Sequence, residues 1–536
     1  MLLVAAAQAG LAPPDVLVLY NGSDPDGERV AREYQAAREL QDRQLCPVAS
    51  DLDPTTTTVA WDDFDASIRA PFEACLAAQP DPDEIDVLVL VRGLPYVVYL
   101  PTFSASVSAA LQVGRAWTGG QDLAGQGQAT SGSTAYASVE NPVFLGDYNG
   151  SVEADFLVGR DYRRLYTATL KLVYRDKWPG SFSRATAGKG SAIDFDGELF
   201  LVTRLDGFDH DDASDLVARG LEADGTFPSA EILCMYGADQ ARGARDDECE
   251  LVTRLLADSH NATWLDSFDS TLEGHEVAAY WTGAASMTGA IDGQSYVPGA
   301  IVDNITSYGA HPNNFVCSAE GDCPASEVQT SIARFVRAGA TGVHGTVQEP
   351  LNNCFPHAST LLLYAHGYSL GESFLYSQPY TYWQNLVLGD PLAVPFGERP
   401  TLSVDERGGI ATITADHPDG IASIKVFRDG VVIAQAAGAS LELVLEEPAG
   451  ASVPLFLVAY SGHLEVGSAW PDGPVTARPE VAGWSAVEVL VGEAEDTGDT
   501  AEGGLAPVDP PKDCQGCATA PLGFSWLVLF AIRRRR

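Results

Sequence analysis

The chain has 536 residues, with 73 Asp and Glu against 32 Lys and Arg, a formal net charge of −41. Phosphate binding needs a cationic face, so nucleic acid is excluded as a partner, and flat docking on anionic lipid is disfavoured. Hydrophobic residues make up 46%, a globular load that can bury a large core across about three or four domains.

Residues 1–12 begin Met1-Leu2-Leu3-Val4-Ala5-Ala6-Ala7-Gln8-Ala9. This is an apolar stretch ending in a small-x-small pattern, read as a truncated secretory signal cleavable after Ala9. The same residues also suit a first apolar strand, because strand-like Val16–Tyr20 follows.

From 13 to 398 the pattern predicts an α/β domain. Val16–Tyr20 is a strand ending at Asn21-Gly22, and Ser23-Asp24-Pro25 opens a helix to about Leu40. A second helix spans about Trp61 to Ala77, and Asp86–Val91 is a second strand. Residues 114–160, rich in Gly, Ser and Thr, read as a surface excursion. Glu198–Thr203 is a third strand, followed by a helix from about Ala213, and Ala230–Tyr236 is a fourth. Gly299–Asp303 gives a fifth strand, Ser326–Ala338 a helix stopped by Gly339, and Thr341–Val347 a sixth strand. Ser369-Leu-Gly-Glu372 has capping-box spacing, and Leu386–Leu388 leads into Gly389-Asp390-Pro391. Short apolar strands alternating with helices predict a mostly parallel, doubly wound sheet of caspase-like or Rossmann-like type.

Beyond Pro400, short alternating strands with an Asp429-Gly430 hairpin and no helical period predict an immunoglobulin-like β-sandwich over 399–480. Residues 481–513 become an acidic, Gly/Pro/Thr-rich linker. Residues 514–536 combine Cys514-Gln-Gly-Cys517, the apolar run Pro521–Ile532, taken as a short helix, and Arg533–Arg536. That run is short for a stable membrane span of about 20 residues. With its basic stop it reads as a sorting and processing signal, held transiently in the inner membrane with its C-terminus in the cytoplasm.

Nine Cys are present. Cys317 and Cys323 flank a Gly-Asp turn and are the best local disulfide candidates, with Cys234 and Cys249 a second plausible pair. No Cys spacing in the body suits structural zinc, and no cofactor motif appears.

Open parallel sheets bind ligands beyond the carboxyl ends of their strands. The residues there are Asn21, Arg92, Arg204 with Asp206, Asp303 with Asn304 and Ser307, and His344 with Glu349. One reading is a shared cleft in which Arg204 and Asp206 orient a polar substrate, Ser307 or the Cys354 thiol attacks, and His344 or His311 is the base. Asn21, Arg92, Asn304 and Glu349 then complete the binding wall. The other reading is strand capping and ion pairing, Arg204 simply bonding Asp206. The run Asp206, Asp209, Asp211, Asp212, Asp215 suits a helix N-terminus better than a metal. No GxSxG, HExxH, Walker or EF-hand pattern occurs.

Several ordered blocks carry a resemblance. They are Leu19-Tyr20-Asn21, Arg92-Gly93-Leu94-Pro95, Thr203-Arg204-Leu205-Asp206-Gly207, Pro298-Gly299-Ala300, Asn304-Ile-Thr-Ser307, Ala338–Gly342, Gly345-Thr346-Val347 with Glu349-Pro350, and Leu388-Gly-Asp-Pro-Leu392. Over Val16–Phe396 the chain resembles an uncharacterised bacterial surface-protein family found in species with exosortase-type sorting. The tail resembles the C-terminal sorting domains of myxobacteria, which implies export, a processing protease acting near Cys514 and Cys517, and attachment at the cell surface or outer envelope. A fainter similarity runs to gingipain-like caspase-fold peptidases, which also carry a late Gly-Asp-Pro and a following immunoglobulin-like domain. Those place His-Gly and Cys after successive strands; here the place reads Asn304-Ile-Thr-Ser307-Tyr-Gly, so no catalytic residue carries over. Two functions follow as expectations. One is a hydrolase-like or degenerate caspase-fold protein acting on a polar substrate, and the other is a non-catalytic envelope scaffold or binding protein.

Overall fold

The computed structural model describes residues 10–99, 104–112, 128–131, 134–137, 139–141, 200–287, 289–349, 355–378, 380–381, 384–462 and 480–492. The apolar start at 1–9, most of the 114–160 excursion, Cys354, and the tail from 493 with Cys514 and Cys517 lie outside these residues.

The α/β part is built on a ten-stranded sheet. Its strands are β1 (Val16–Asn21), β2 (Leu45–Val48), β3 (Val87–Val91), β4 (Leu201–Leu205), β5 (Glu231–Met235), β6 (Ala262–Leu265), β7 (Glu276–Thr282), β8 (Ser295–Asn304), β9 (Gly342–Thr346) and β10 (Asn385–Gly389). The order across the sheet is β6-β5-β7-β8-β9-β10-β4-β3-β1-β2. Pairs from β6 to β9 are parallel, as are those from β4 to β2. β9 and β10 run antiparallel, and β10 meets β4 at one pair, Leu388 with Arg204. The sheet is therefore mixed rather than uniformly parallel. β1, β3 and β4 are buried at every position, which is why they read as unbroken apolar runs.

Helices cover both faces. α1 (Pro25–Arg38) is capped by Asp24, whose side chain accepts from Asp26 N, and Pro25 takes the first helical position, where no N–H is needed. α2 (Ala70–Ala77) continues a helical stretch that starts at Trp61 and widens over Asp65–Arg69. A disulfide joins its Cys75 to Cys46 of β2. α3 (Val107–Gln112) and α4 (His210–Ala223) flank β4 in sequence, and α5 (Asp246–Leu256) follows β5. α6 (Ile332–Ala338) begins six residues after the expected Ser326, because the Ser331 hydroxyl accepts from Ala333 N and caps it there; Gly339 ends it at φ 119°. α7 (Ser359–Ala365) precedes α8 (Leu370–Ser377), in which Ser369 and Glu372 close a reciprocal capping box.

One core cluster gathers Leu233 and Met235 of β5 with α1, α4 and α6. The other gathers Ile232 and Cys234 with α5, α7 and α8. Alternate residues of a strand thus feed opposite layers.

The described strands beyond Pro400 are β11 (Thr401–Arg407), β12 (Ile410–Asp416), β13 (Ile421–Arg428), β14 (Val431–Ala437), β15 (Ser440–Val444), β16 (Ser452–Ser461) and β17 (Ala482–Leu490). They form antiparallel sheets β11-β12-β15 and β14-β13-β16-β17 over a shared core of Ile413, Leu441, Val426 and Leu457. Asp429 and Gly430, at φ 52° and 78°, turn β13 into β14. β17 falls where the acidic linker was expected to begin. It pairs with β16 from Ala482 to Leu490 and buries Val489.

The sheet pair is stitched to the α/β part. Lys425 Nζ reaches Glu84 at 2.8 Å, and the Arg399 guanidinium lies 4.2 Å over the Trp484 ring while donating to Asp224, Leu392 O and Ala482 O. Arg38, buried in α1, bonds Asp224 and Asp390, and the Tyr34 hydroxyl donates to Asp390 at 2.9 Å. No helix among the described residues is long and apolar enough to cross a membrane.

Candidate functional site

The strand-end residues fall into separate groups. At the ends of β1, β3 and β4, Asp206 is fully buried and its hydrogen bonds are saturated. Its Oδ1 accepts from Gly207 N at 2.8 Å, Arg92 at 2.9 Å and the Tyr96 hydroxyl at 3.2 Å; its Oδ2 accepts from Arg204 at 2.9 Å. Arg204, also fully buried, spends its other donors on Leu94 O and Pro95 O and stacks 4.6 Å from the Tyr96 ring. Arg92 further reaches Gly207 O and Phe315 O, drawing the loop beyond β8 over this corner. Burial alone would lower the Arg92 pKa, but Tyr96 and Asp206 reverse this and hold the guanidinium charged. Burial, then Asp206, pushes the Tyr96 phenol up.

Asn21 stands beside this corner, donating to Leu52 O and Gly93 O and accepting from Ser23 N and its hydroxyl. It shapes the turn and offers no free group. Gly93, at φ +98°, is required here, because an added Cβ would sit 2.4 Å from the Asp24 carboxylate. That carboxylate accepts from His210 Nε2 at 2.9 Å, joining the N-termini of α1 and α4. Sequence reasoning stopped at the strand ends and missed this pair; the cap positions before Pro25 and after Asp209 were the available signal.

Ser307 and Glu349 meet three residues beyond β8 and β9, the Ser307 hydroxyl donating to Glu349 Oε1 at 2.7 Å. His311 is elsewhere in that loop. Its Nδ1 accepts from Asn313 N at 3.2 Å, its ring faces Tyr308, and burial lowers its pKa. No hydrogen bond joins His311 to Ser307 among the described residues. Asn304 holds the chain beyond β7, accepting from Ala284 N at 2.7 Å and donating to Ala284 O.

His344 lies in the middle of the sheet rather than at a rim, with no exposed surface. Register sets Trp281, Asp303 and His344 side by side on β7, β8 and β9. His344 Nδ1 donates to Asp303 at 2.9 Å, and Nε2 faces Asn385 Oδ1 at 3.1 Å. Phe355 packs edge-on against the ring, and Phe374 of α8 stacks over it. The second Asp303 oxygen and Trp281 Nε1 are buried with no hydrogen-bond partner among the described residues.

Arg92, Arg204 and Asp206 come together, with Asn21 beside them. Ser307 pairs with Glu349, while His344 and His311 stand apart from both and from each other. At the β1–β3–β4 corner the physical reason is saturation: Arg92 and Arg204 are both claimed by the Asp206 carboxylate. Cys317 and Cys323 are joined by a disulfide, closing the loop whose Phe315 stacks 4.4 Å from Tyr96. A cavity lies away from the strand ends, between the two parts, lined by Pro13, Glu39, Arg43, Glu84, Phe427 and Phe456 among others. No group of three or more His, Cys, Asp or Glu among the described residues is placed to hold a metal.

No protein-family model matches the chain, and no curated protein matches it in sequence. Solved structures do match. One described as a protease shares 11% identity at a TM-score of 0.43, covering 89% of this chain and 98% of its own. Another, the Arg-specific cysteine proteinase gingipain R, shares 10% identity at a TM-score of 0.41, covering 90% of this chain and 100% of its own.

Proposed function

We propose that the chain is an exported, surface-attached protein whose α/β body binds an envelope partner without cleaving it. The observation that carries this reading is the closed Arg92–Asp206–Arg204–Tyr96 network. The groups expected to orient a substrate are spent on one another, and the Ser307 hydroxyl is given to Glu349 with no imidazole bonded to it. Saturated buried ion pairs of this kind rigidify the strand ends and leave no reactive atom presented. The disulfides Cys46–Cys75 and Cys317–Cys323 support an oxidising compartment. The Cys514/Cys517 tail is the address read by a sorting protease, and the two-sheet module serves as an immunoglobulin-like spacer.

A second reading, a hydrolase-like or degenerate caspase-fold enzyme, is favoured by one feature. The Asp303 carboxylate orients the His344 imidazole as the base half of a nucleophilic site requires. Hydroxyl- and thiol-directed covalent probes on the intact chain separate the two. The binding reading expects no labelling that Ser307→Ala or His344→Gln removes. Stoichiometric labelling lost in any of these variants, with an unchanged urea midpoint, would establish the enzyme.

A further inference from the structure

The cavity between the two parts lies among the turns that lead into β1, β2 and β3 and the β13–β14 hairpin. It holds about 420 Å³ of space, part of it open to solvent. Its floor is apolar. Phe427 and Phe456, register partners on β13 and β16, are buried there with Ile85.

Arg43 stands in the wall, and the backbone that carries it is fixed from two sides. Gln44 Nε2 donates to Pro13 O and Val16 O, both at 2.7 Å, and Gln79 Nε2 donates to Arg43 O at 2.7 Å. The guanidinium lies against Gly430, where an added Cβ would meet it at 2.1 Å. It makes no hydrogen bond and no ion pair with any described residue. Burial lowers its pKa, and the Asp429 charge offsets that only in part. Arg38, Arg92 and Arg204 are each claimed by a carboxylate, so in a chain with 73 acids an unclaimed guanidinium on a cavity wall stands out. Two carboxylates share the cavity. Glu39 follows α1 at φ 56°, and Asp81 stands before the turn Pro82–Glu84; neither is ion-paired among the described residues, whereas Glu84 is taken by Lys425.

We propose that this cavity binds a free α-amino acid with an apolar side chain, its carboxylate on Arg43, its ammonium toward Glu39 and Asp81, and its side chain on Phe427 and Phe456. The guanidinium fork matches a planar carboxylate in two parallel hydrogen bonds. A phosphate dianion would bring a second negative charge toward the same two carboxylates, with one cation to meet it. A wholly apolar ligand would desolvate Arg43 and give it no partner. The site uses none of the strand-end residues, so it holds or fails independently of the envelope-binding reading.

The test is titration calorimetry of the full chain with L-valine, L-leucine and L-phenylalanine, each up to about 10 mM, a range that reveals a weak small-ligand site. Saturable one-to-one binding of at least one of them is expected. The deamino acid and the α-amide of that ligand should each bind at least about tenfold more weakly, because each lacks one charged end. Arg43→Gln should weaken the amino acid by the same factor and leave the amide unaffected. Its urea midpoint should match wild type, since Arg43 has no bonded partner to lose. Four results would each overturn the assignment: no binding of any of the three, a deamino acid bound as tightly as its amino acid, undiminished binding by folded Arg43→Gln, or inorganic phosphate bound more tightly than the amino acid. The comparisons on the wild-type chain remain decisive if the variant misfolds.

Discussion

Asp206 shows how an acidic chain spends its few cations. Two guanidinium groups, a phenol and a backbone N–H converge on one carboxylate with no exposed surface. Removing one partner of a buried pair leaves the other charge uncompensated, a loss of about 3–5 kcal/mol. Arg204→Ala and Asp206→Asn should each lower the urea midpoint by that order. Arg204→Lys should not restore it, because an ammonium cannot serve Asp206, Leu94 O and Pro95 O from one plane while stacking on Tyr96. A midpoint for Arg204→Lys matching wild type would show that the fork geometry is unimportant. The residue types at these positions were legible, since polar groups closing apolar runs stand out in sequence. Their mutual saturation was not, because it depends on strands 114 residues apart, as between Arg92 and Asp206.

Elements were legible where burial is complete. β1 and β3 read as apolar runs because both faces are covered. β6 did not, being short and only half-buried along its length. β7 carries Val277, Tyr280, Trp281 and Thr282, but Ala278 and Ala279 break that run at its centre. β17 was hidden by composition: Gly483, Ser485 and Glu488 look like linker, yet alternation carries Val487 and Val489 toward the core. Strand order could not be read at all, since parallel neighbours are far apart in sequence. The Cys46–Cys75 bond pins edge strand β2 to α2 across a separation of 29 residues. Chain-entropy arguments give such a loop roughly 3–4 kcal/mol. Replacing both cysteines by Ala should cost about that much in urea unfolding, and added reductant should lower the wild-type midpoint at least as far, because it opens Cys317–Cys323 as well.

At the scale of the whole molecule, Asp224 is the junction. Burial would raise its pKa, but Arg399 and Arg38 outweigh burial and hold it below the ordinary carboxylate value. A carboxylate depressed in the folded state contributes stability above its unfolded pKa of about 3.9, and that contribution drains as pH falls through the folded value. His260 works in the same direction. Burial, then His366, lowers its pKa, so protonation below about pH 6.5 favours the unfolded chain. Urea midpoints should therefore fall from pH 7 toward pH 3, in a shallow step near pH 6 and a steeper one below pH 4. Asp224→Asn should flatten the steeper step; an unaltered profile would remove Asp224 from that role.

The Arg399–Trp484 stack has a practical consequence for dissection. Trp484 comes from the last described strand, yet it covers Arg399 and Arg38, whose partners lie just after α4 and after β10. A gene fragment stopped near Pro400 would strip that lid and bare an arginine pair to solvent, so it should yield inclusion bodies. Residues 10–492 expressed as one piece should be recovered soluble and monodisperse on gel filtration. The cloning boundary is thus dictated by an indole some eighty positions downstream of where the topology would invite a cut.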